Sequence, residues 1–170
     1  MKNTVLRYGT WSALSIFILF IISSLLLKNL DFTTQEIYGY ASIIVSLLFV
    51  FFGIKHFRDT KNQGILSFGK GLLIGLIITL FSSITFGIYN VVYVEYIDPN
   101  FMTEYYNHSV EQVSKTLSGV ELQAKLQQME DEKDLFANPF MNFFLMFLTV
   151  FMIGLIISLI SSLILQRKQN

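Results

Sequence analysis

Four stretches of this chain carry no charged residue: Tyr8 to Leu27, Ile37 to Ile54, Gly71 to Val94, and Leu135 to Gln166. Each is near or above the roughly 20 apolar residues that a helix needs to cross a bilayer core. With 53% hydrophobic against 14% charged residues over 170 positions, the composition also departs from that of a soluble domain. In lipid the backbone must satisfy its own polar groups, which leaves helices or a closed barrel. These runs are continuously apolar where a barrel strand would alternate over about ten residues, so helices are the reading. The sequence predicts an all-α, four-helix polytopic membrane protein with transmembrane helices at about 8–28, 36–55, 69–94 and 139–165.

The first run follows Lys2 and Arg7 in the manner of a signal peptide. It is longer than the usual apolar region of one, and no small-x-small cleavage site follows, so it is expected to remain as an anchor. Cysteine is absent, which removes lipoprotein attachment, disulfides and thiolate metal sites. Lys2, Arg7, the 55–70 loop with Lys55, Arg58, Lys61 and Lys70, and the terminal Arg167 and Lys168 fall on one side of four crossings. The other side holds Lys28 and a long connection carrying nine acids against Lys115, Lys125 and Lys133. The positive-inside rule then puts both termini in the cytoplasm. Tyr38, Tyr40, Tyr89, Tyr93 and Tyr96 fall at the outer interface, and Tyr8 and Trp11 at the inner one, as aromatic belts should.

The stretch "GILSFGKG", Gly64 to Gly71, comes one residue short of a phosphate-binding loop. That motif needs a hydroxyl after the lysine to hold magnesium and a strand leading into the loop. Gly71 stands where the hydroxyl should be, and the flanking segments are membrane helices. No nucleotide or nucleic acid is expected. Lys55, Arg58, Lys61 and Lys70 are read instead as a cytoplasmic anchor facing anionic lipid headgroups, each worth on the order of 1 kcal/mol at a charged leaflet. Continued at intervals of four, Gly71, Gly75, Thr79, Ser83 and Gly87 form one stripe of the third helix, and Gly154, Ser158 and Ser162 form one on the fourth. Small residues let helix backbones approach closely in lipid, so both stripes are read as a packing face. A solute path lined by hydroxyls is the functional alternative.

From Glu95 to Asn138 the chain is polar enough to leave the membrane. Asp98-Pro99 reads as an N-cap with proline at the first helical position, and Met102, Tyr106, Val110, Val113 and Leu117 recur on one face. Ser118-Gly119 breaks that helix, and Ser118 with Glu121 reads as a capping box opening a second, whose apolar face is Leu122, Leu126, Met129 and Phe136. Asn138-Pro139 repeats the cap-and-proline signal at the fourth span. The expectation is an extracytoplasmic amphipathic helical hairpin at about 95–138, between helices three and four. Two such helices bury too little alone and should pack on each other, on the bilayer or on another chain. The acidic run Glu130, Asp131, Glu132 and Asp134 lacks the ligand spacing of a calcium loop and reads as a solvated face.

No Asp, Glu, Lys, Arg or His lies inside the four charge-free runs, whereas coupled carriers and voltage sensors require such groups. Asn90 and Asn142 fall toward the outer interface, and His56 and His108 fall on opposite sides, so they share no metal or catalytic site. No catalytic, cofactor or metal residues are assigned. The segments "GYASIIVSLLFVFFGIKHFRD", "GILSFGKGLLIGL", "NPFMNF" and "GLIISLISSLILQRK" resemble the bacterial membrane family called domain of unknown function 4199. The resemblance spans nearly the whole chain. It implies four helices, a polar insert before the last, and the inner membrane of Gram-negative bacteria of the Bacteroidota type. The expected role is non-enzymatic: a structural or protein-interaction protein that meets membrane lipids and, through the hairpin, a protein partner or its own copies. A small-solute or lipid transporter is the alternative.

Overall fold

The computed structural model describes residues 1–167, with side chains at all of these except 134–137. Lys168, and the side chains of Asp134 and Phe136, therefore lie outside the described residues. The described chain is almost wholly helical, in six helices: α1 Lys2–Leu26, α2 Phe32–His56, α3 Phe68–Val92, α4 Phe101–Thr116, α5 Gly119–Ala137 and α6 Pro139–Leu165. Single π-helical turns extend α2 through Phe57–Lys61 and α3 through Tyr93–Ile97. Four helices, α1, α2, α3 and α6, are long and apolar enough to cross a membrane.

Local chemistry sets the ends of these helices. Asp31 caps α2, its carboxylate accepting from the Thr34 amide at 2.8 Å and from the Thr34 hydroxyl at 2.7 Å. This cap starts α2 a turn before the apolar run does. Asn138 opens α6 in the same way: its Oδ1 accepts from the amides of Phe140 at 3.0 Å and Met141 at 3.1 Å, while Pro139 occupies the position where no amide is needed. The Asp98-Pro99 signal is overridden. Asp98 donates its amide to the Tyr93 carbonyl at 2.8 Å, closing the π turn. Its carboxylate accepts from the Tyr93 hydroxyl at 3.4 Å, so α4 begins only at Phe101. The Ser118–Glu121 capping box also does not form. Gly119 opens α5 at φ +62°, so the first turn is irregular and the Ser118 side chain makes no cap bond.

Residues group into two compact units: Met1–Phe86 with the chain from Met146 onward, and Gly87–Leu145. In the first unit, contacts between α1 and α2 and between α3 and α6 pair early residues of one helix with late residues of the other. Tyr8 lies against Gly53 and Ser12 against Ser46, and likewise Gly71 lies against Ser162 and Gly75 against Ser158. The helices within this unit therefore run up, down, up and down. Its core is Ile16, Leu47, Val50, Ile54, Ile74, Ile78 and Val150, all fully buried. Outside them the order of a soluble protein is reversed: Trp11, Phe17, Ile44, Phe52, Met152, Ile156 and Ile160 are all more than one-third exposed. A surface this apolar is stable against lipid tails and not against water.

Candidate functional site

Lipid gives helices no hydrophobic reason to associate, so contact between them rests on close packing and polar bonds. The α3–α6 seam in the first unit uses both. A Cβ placed on Gly75 would stand 2.6 Å from Ser158 Oγ and 2.8 Å from Ser158 Cβ. One on Gly71 would stand 3.0 Å from Ser162 Oγ, and one on Gly154 would fall against the Thr79 side chain. Thr79, Ser83, Ser158 and Ser162 are fully buried. Two of these hydroxyls are returned to their own helix, Ser83 to the Thr79 carbonyl at 3.0 Å and Ser158 to the Gly154 carbonyl at 2.6 Å. The Thr79 and Ser162 hydroxyls find no hydrogen-bond partner among the described residues. Gly87 belongs to the second unit, where its missing side chain admits the Phe143 ring, 2.7 Å from where a Cβ would sit.

A second polar junction, not anticipated from the sequence, joins α1, α2 and α3. Ser12 donates to the Ser46 carbonyl at 2.7 Å, and its oxygen lies 2.6 Å from the Ser82 hydroxyl. Because Ser12 spends its one proton on the carbonyl, Ser82 is the donor to Ser12. Ser46 in turn donates to the Ser42 carbonyl at 2.8 Å. Ser12, Ser46 and Ser82 are fully buried, so a directed chain of hydroxyls crosses three helices. Ser12 and Ser46 have no adjacent serine, Ser82 is followed by Ser83, and spacing alone does not connect the three.

The 55–70 loop is folded on itself. Arg58 grips Asp59 through Nε at 2.6 Å and a terminal nitrogen at 3.2 Å, and reaches the Leu165 carbonyl at 3.5 Å. Lys70 lies 3.5 Å from Asn62 Oδ1 and 5.3 Å from the centre of the Phe57 ring. Lys55 and Lys61 are exposed. Leu66 exchanges both backbone hydrogen bonds with Arg167, at 2.9 and 2.8 Å, which ties the loop to the segment after α6. Within the "GILSFGKG" stretch four of the eight amides are already spent: Gly64 donates to Arg58, Ile65 to Asn62, Leu66 to Arg167 and Gly71 to Ser67. A phosphate cradle needs such amides free and convergent.

In the second unit, rings step from Tyr89 to Tyr93, Phe101 and Tyr105 at centroid separations of 6.0, 5.4 and 6.1 Å. Asn142 is buried. Helices α4 and α5 meet where the Tyr106 hydroxyl donates to Glu130 at 2.6 Å. Lys133 bonds the same carboxylate at 3.3 Å and lies 4.9 Å from the Tyr106 ring centre. These bonds hold the Glu130 carboxyl below its ordinary range, the Tyr106 hydrogen bond first and Lys133 second, and the same bond raises the Tyr106 hydroxyl. Met102, Tyr106, Val110, Val113 and Leu117 of one stripe, and Leu122, Leu126 and Met129 of the other, are half-buried. No residue of α4 is fully buried. Among the described residues no group of three or more His, Cys, Asp or Glu side chains is placed to hold a metal.

A family model described as a protein of unknown function, DUF4199, matches residues 7–167. The chain belongs to this family. Comparison with curated proteins and with solved structures finds no match. The DUF4199 match takes in α4 and α5 as well as the four long helices, and it ends at Arg167, the residue bridged to Leu66. The polar segment is thus part of the DUF4199 unit rather than an appendage to it.

Proposed function

We propose that this DUF4199 protein is a non-enzymatic integral membrane protein of a bacterial inner membrane, with both termini cytoplasmic, whose α4 and α5 form an extracytoplasmic hairpin that engages a protein partner or another copy. The observation that carries this reading is the incomplete burial of α4. A 16-residue helix with an apolar stripe and no fully buried residue has a face left to cover, and its neighbour α5 covers only part of it. Orientation rests on the cations: Lys2, Arg7, Lys55, Arg58, Lys61, Lys70 and Arg167 share the end of the first unit that holds Asp59 as its one acid. Of the four anchor residues, Lys55 and Lys61 are the ones free to meet headgroups, since Arg58 and Lys70 turn to Asp59 and Asn62.

The stripes Gly71, Gly75, Thr79, Ser83 and Gly87 on α3, and Gly154, Ser158 and Ser162 on α6, serve in this reading as packing faces. Contacts of under 3 Å to a notional Cβ at Gly75 favour it over a solute path along the same seam. Photocrosslinking from single sites between residues 100 and 133, in cells, tests the interaction role. A discrete crosslinked species is expected, either a defined protein or a dimer. Labelling of lipid and random neighbours alone would overturn it.

A further inference from the structure

Two helices laid side by side leave a groove, and here it is open. Tyr106 and Val110 of α4 and Gln123, Leu126 and Glu130 of α5 line it. Val110 and Leu126 are its apolar residues, both half-buried, and Asn107 and Gln127 complete the lining. A third helix seated there would complete a small bundle and cover both stripes, the mode in which an amphipathic helix is recognised by a groove.

Charge selects the occupant. Residues 95–138 carry nine acids and three lysines. Two of those lysines are already held, Lys115 by Glu111 at 2.6 Å and Lys133 by Glu130 at 3.3 Å. Lys125 lies on Gln128 at 3.2 Å. Glu130 lines the groove, and Glu104, Glu121 and Asp131 are exposed elsewhere on the same two helices. A second copy of the same segment would bring like charge against like, and an anionic leaflet would do the same. Resting on the interaction role above, we infer that the α4–α5 groove receives a cationic amphipathic helix of another protein, its apolar stripe on Val110 and Leu126 and its lysines or arginines toward the acidic excess of α4 and α5. Hydrophobic contact supplies most of the affinity, and the charges supply rate and choice of partner.

The test uses the full chain in nanodiscs of zwitterionic phosphatidylcholine and three synthetic helices the length of α5, 19 residues. One carries a leucine stripe flanked by lysines, the second has glutamates in place of the lysines, and the third keeps the lysines but scrambles the stripe. The first peptide should bind saturably, one per chain, at least tenfold more tightly than either of the others. The double variant Val110→Ser, Leu126→Ser should lose at least tenfold in affinity while α4–α5 helicity is retained. Asp131→Asn with Glu121→Gln should weaken binding severalfold and flatten its salt dependence. Equal binding of the scrambled peptide would mean diffuse attraction to acids and would overturn the groove. Binding of the glutamate peptide, or self-association of the chain that is lost in the serine double variant, would overturn the cationic partner. A discrete heterologous crosslink with no peptide binding would end this inference while leaving the interaction role standing. The loss of both would end the two together.

Discussion

Replacing Gly75 with alanine adds one carbon at a tight point of the α3–α6 seam. That carbon would sit 2.6 Å from Ser158 Oγ, 2.8 Å from Ser158 Cβ and 3.1 Å from Val50 Cγ1. Carbon atoms rest about 3.5–4.0 Å apart, so the helices must separate by roughly 1 Å. The Ser158 hydroxyl can rotate away, but its Cβ is fixed to the α6 backbone and cannot. Overpacking of this kind costs about 1–3 kcal/mol, here in the upper part of that range because a backbone-fixed atom is struck. Alanine returns up to about 1 kcal/mol of helix propensity, which leaves a net loss of about 1–2 kcal/mol. Gly69 is the internal control: it lies in the same helix, and a Cβ there meets nothing within 4 Å. Gly69→Ala should therefore be neutral or stabilising by up to about 1 kcal/mol. Unfolding in mixed micelles, followed through the single tryptophan, Trp11, gives both values. Adding Ser158→Gly to Gly75→Ala should recover part of the loss, with a coupling of about 0.5–3 kcal/mol. Equal stability of Gly75→Ala and Gly69→Ala would refute the argument that close contact holds the seam.

Ser12→Ala removes the link between Ser82 and the Ser46 carbonyl, and should cost about 1–2 kcal/mol, since hydrogen bonds between membrane helices average about 0.6 and reach about 1.7 kcal/mol. Ser82→Ala added to it should cost little more, read in the same unfolding assay. Lys70→Ala should cost under about 1 kcal/mol, because Lys70 is itself exposed, and the chain should show no saturable ATP binding for that substitution to abolish. Glu130 has its pKa lowered in the folded chain, so the stabilisation from Tyr106 and Lys133 is fully present above the ordinary carboxylate pKa of about 4.3 and is lost as pH falls through the lowered value. Hydrogen exchange of α4 and α5 should quicken over that acid range, and Glu130→Gln should reduce the pH dependence to the part that Glu111 keeps beside Lys115.

What the sequence disclosed depended on whether a signal was local. Uninterrupted apolar runs mark the four long helices because only a helix satisfies its backbone within one segment in lipid, and a barrel strand would alternate. The Asn138 cap was legible because it acts on amides two and three residues away. The four-residue recurrence of Gly71, Gly75 and Thr79 was legible as one helix face, since helical geometry converts that spacing directly into a stripe. Asp98 misled because a nearby partner, Tyr93, competes for its carboxylate, and no propensity rule weighs that competition. Ser12, Ser46 and Ser82 stand 34 and 36 positions apart, and only the packing of three helices gives them a common address. The bridge from Leu66 to Arg167 is more remote still, because both residues sit outside any periodic pattern. The fully buried Leu66 looks in sequence like one more loop residue.

The placement of α4 and α5 outside the cytoplasm is the claim on which the proposed partner depends, and the absence of cysteine from the chain makes it directly measurable. Single cysteines at Gln112 and at Lys61, both exposed, would be treated in intact spheroplasts with a maleimide that cannot cross the inner membrane. Gln112→Cys should label at once, and Lys61→Cys only after the membrane is opened by detergent. Labelling of Lys61→Cys in intact spheroplasts, with Gln112→Cys protected, would invert the topology and contradict the account.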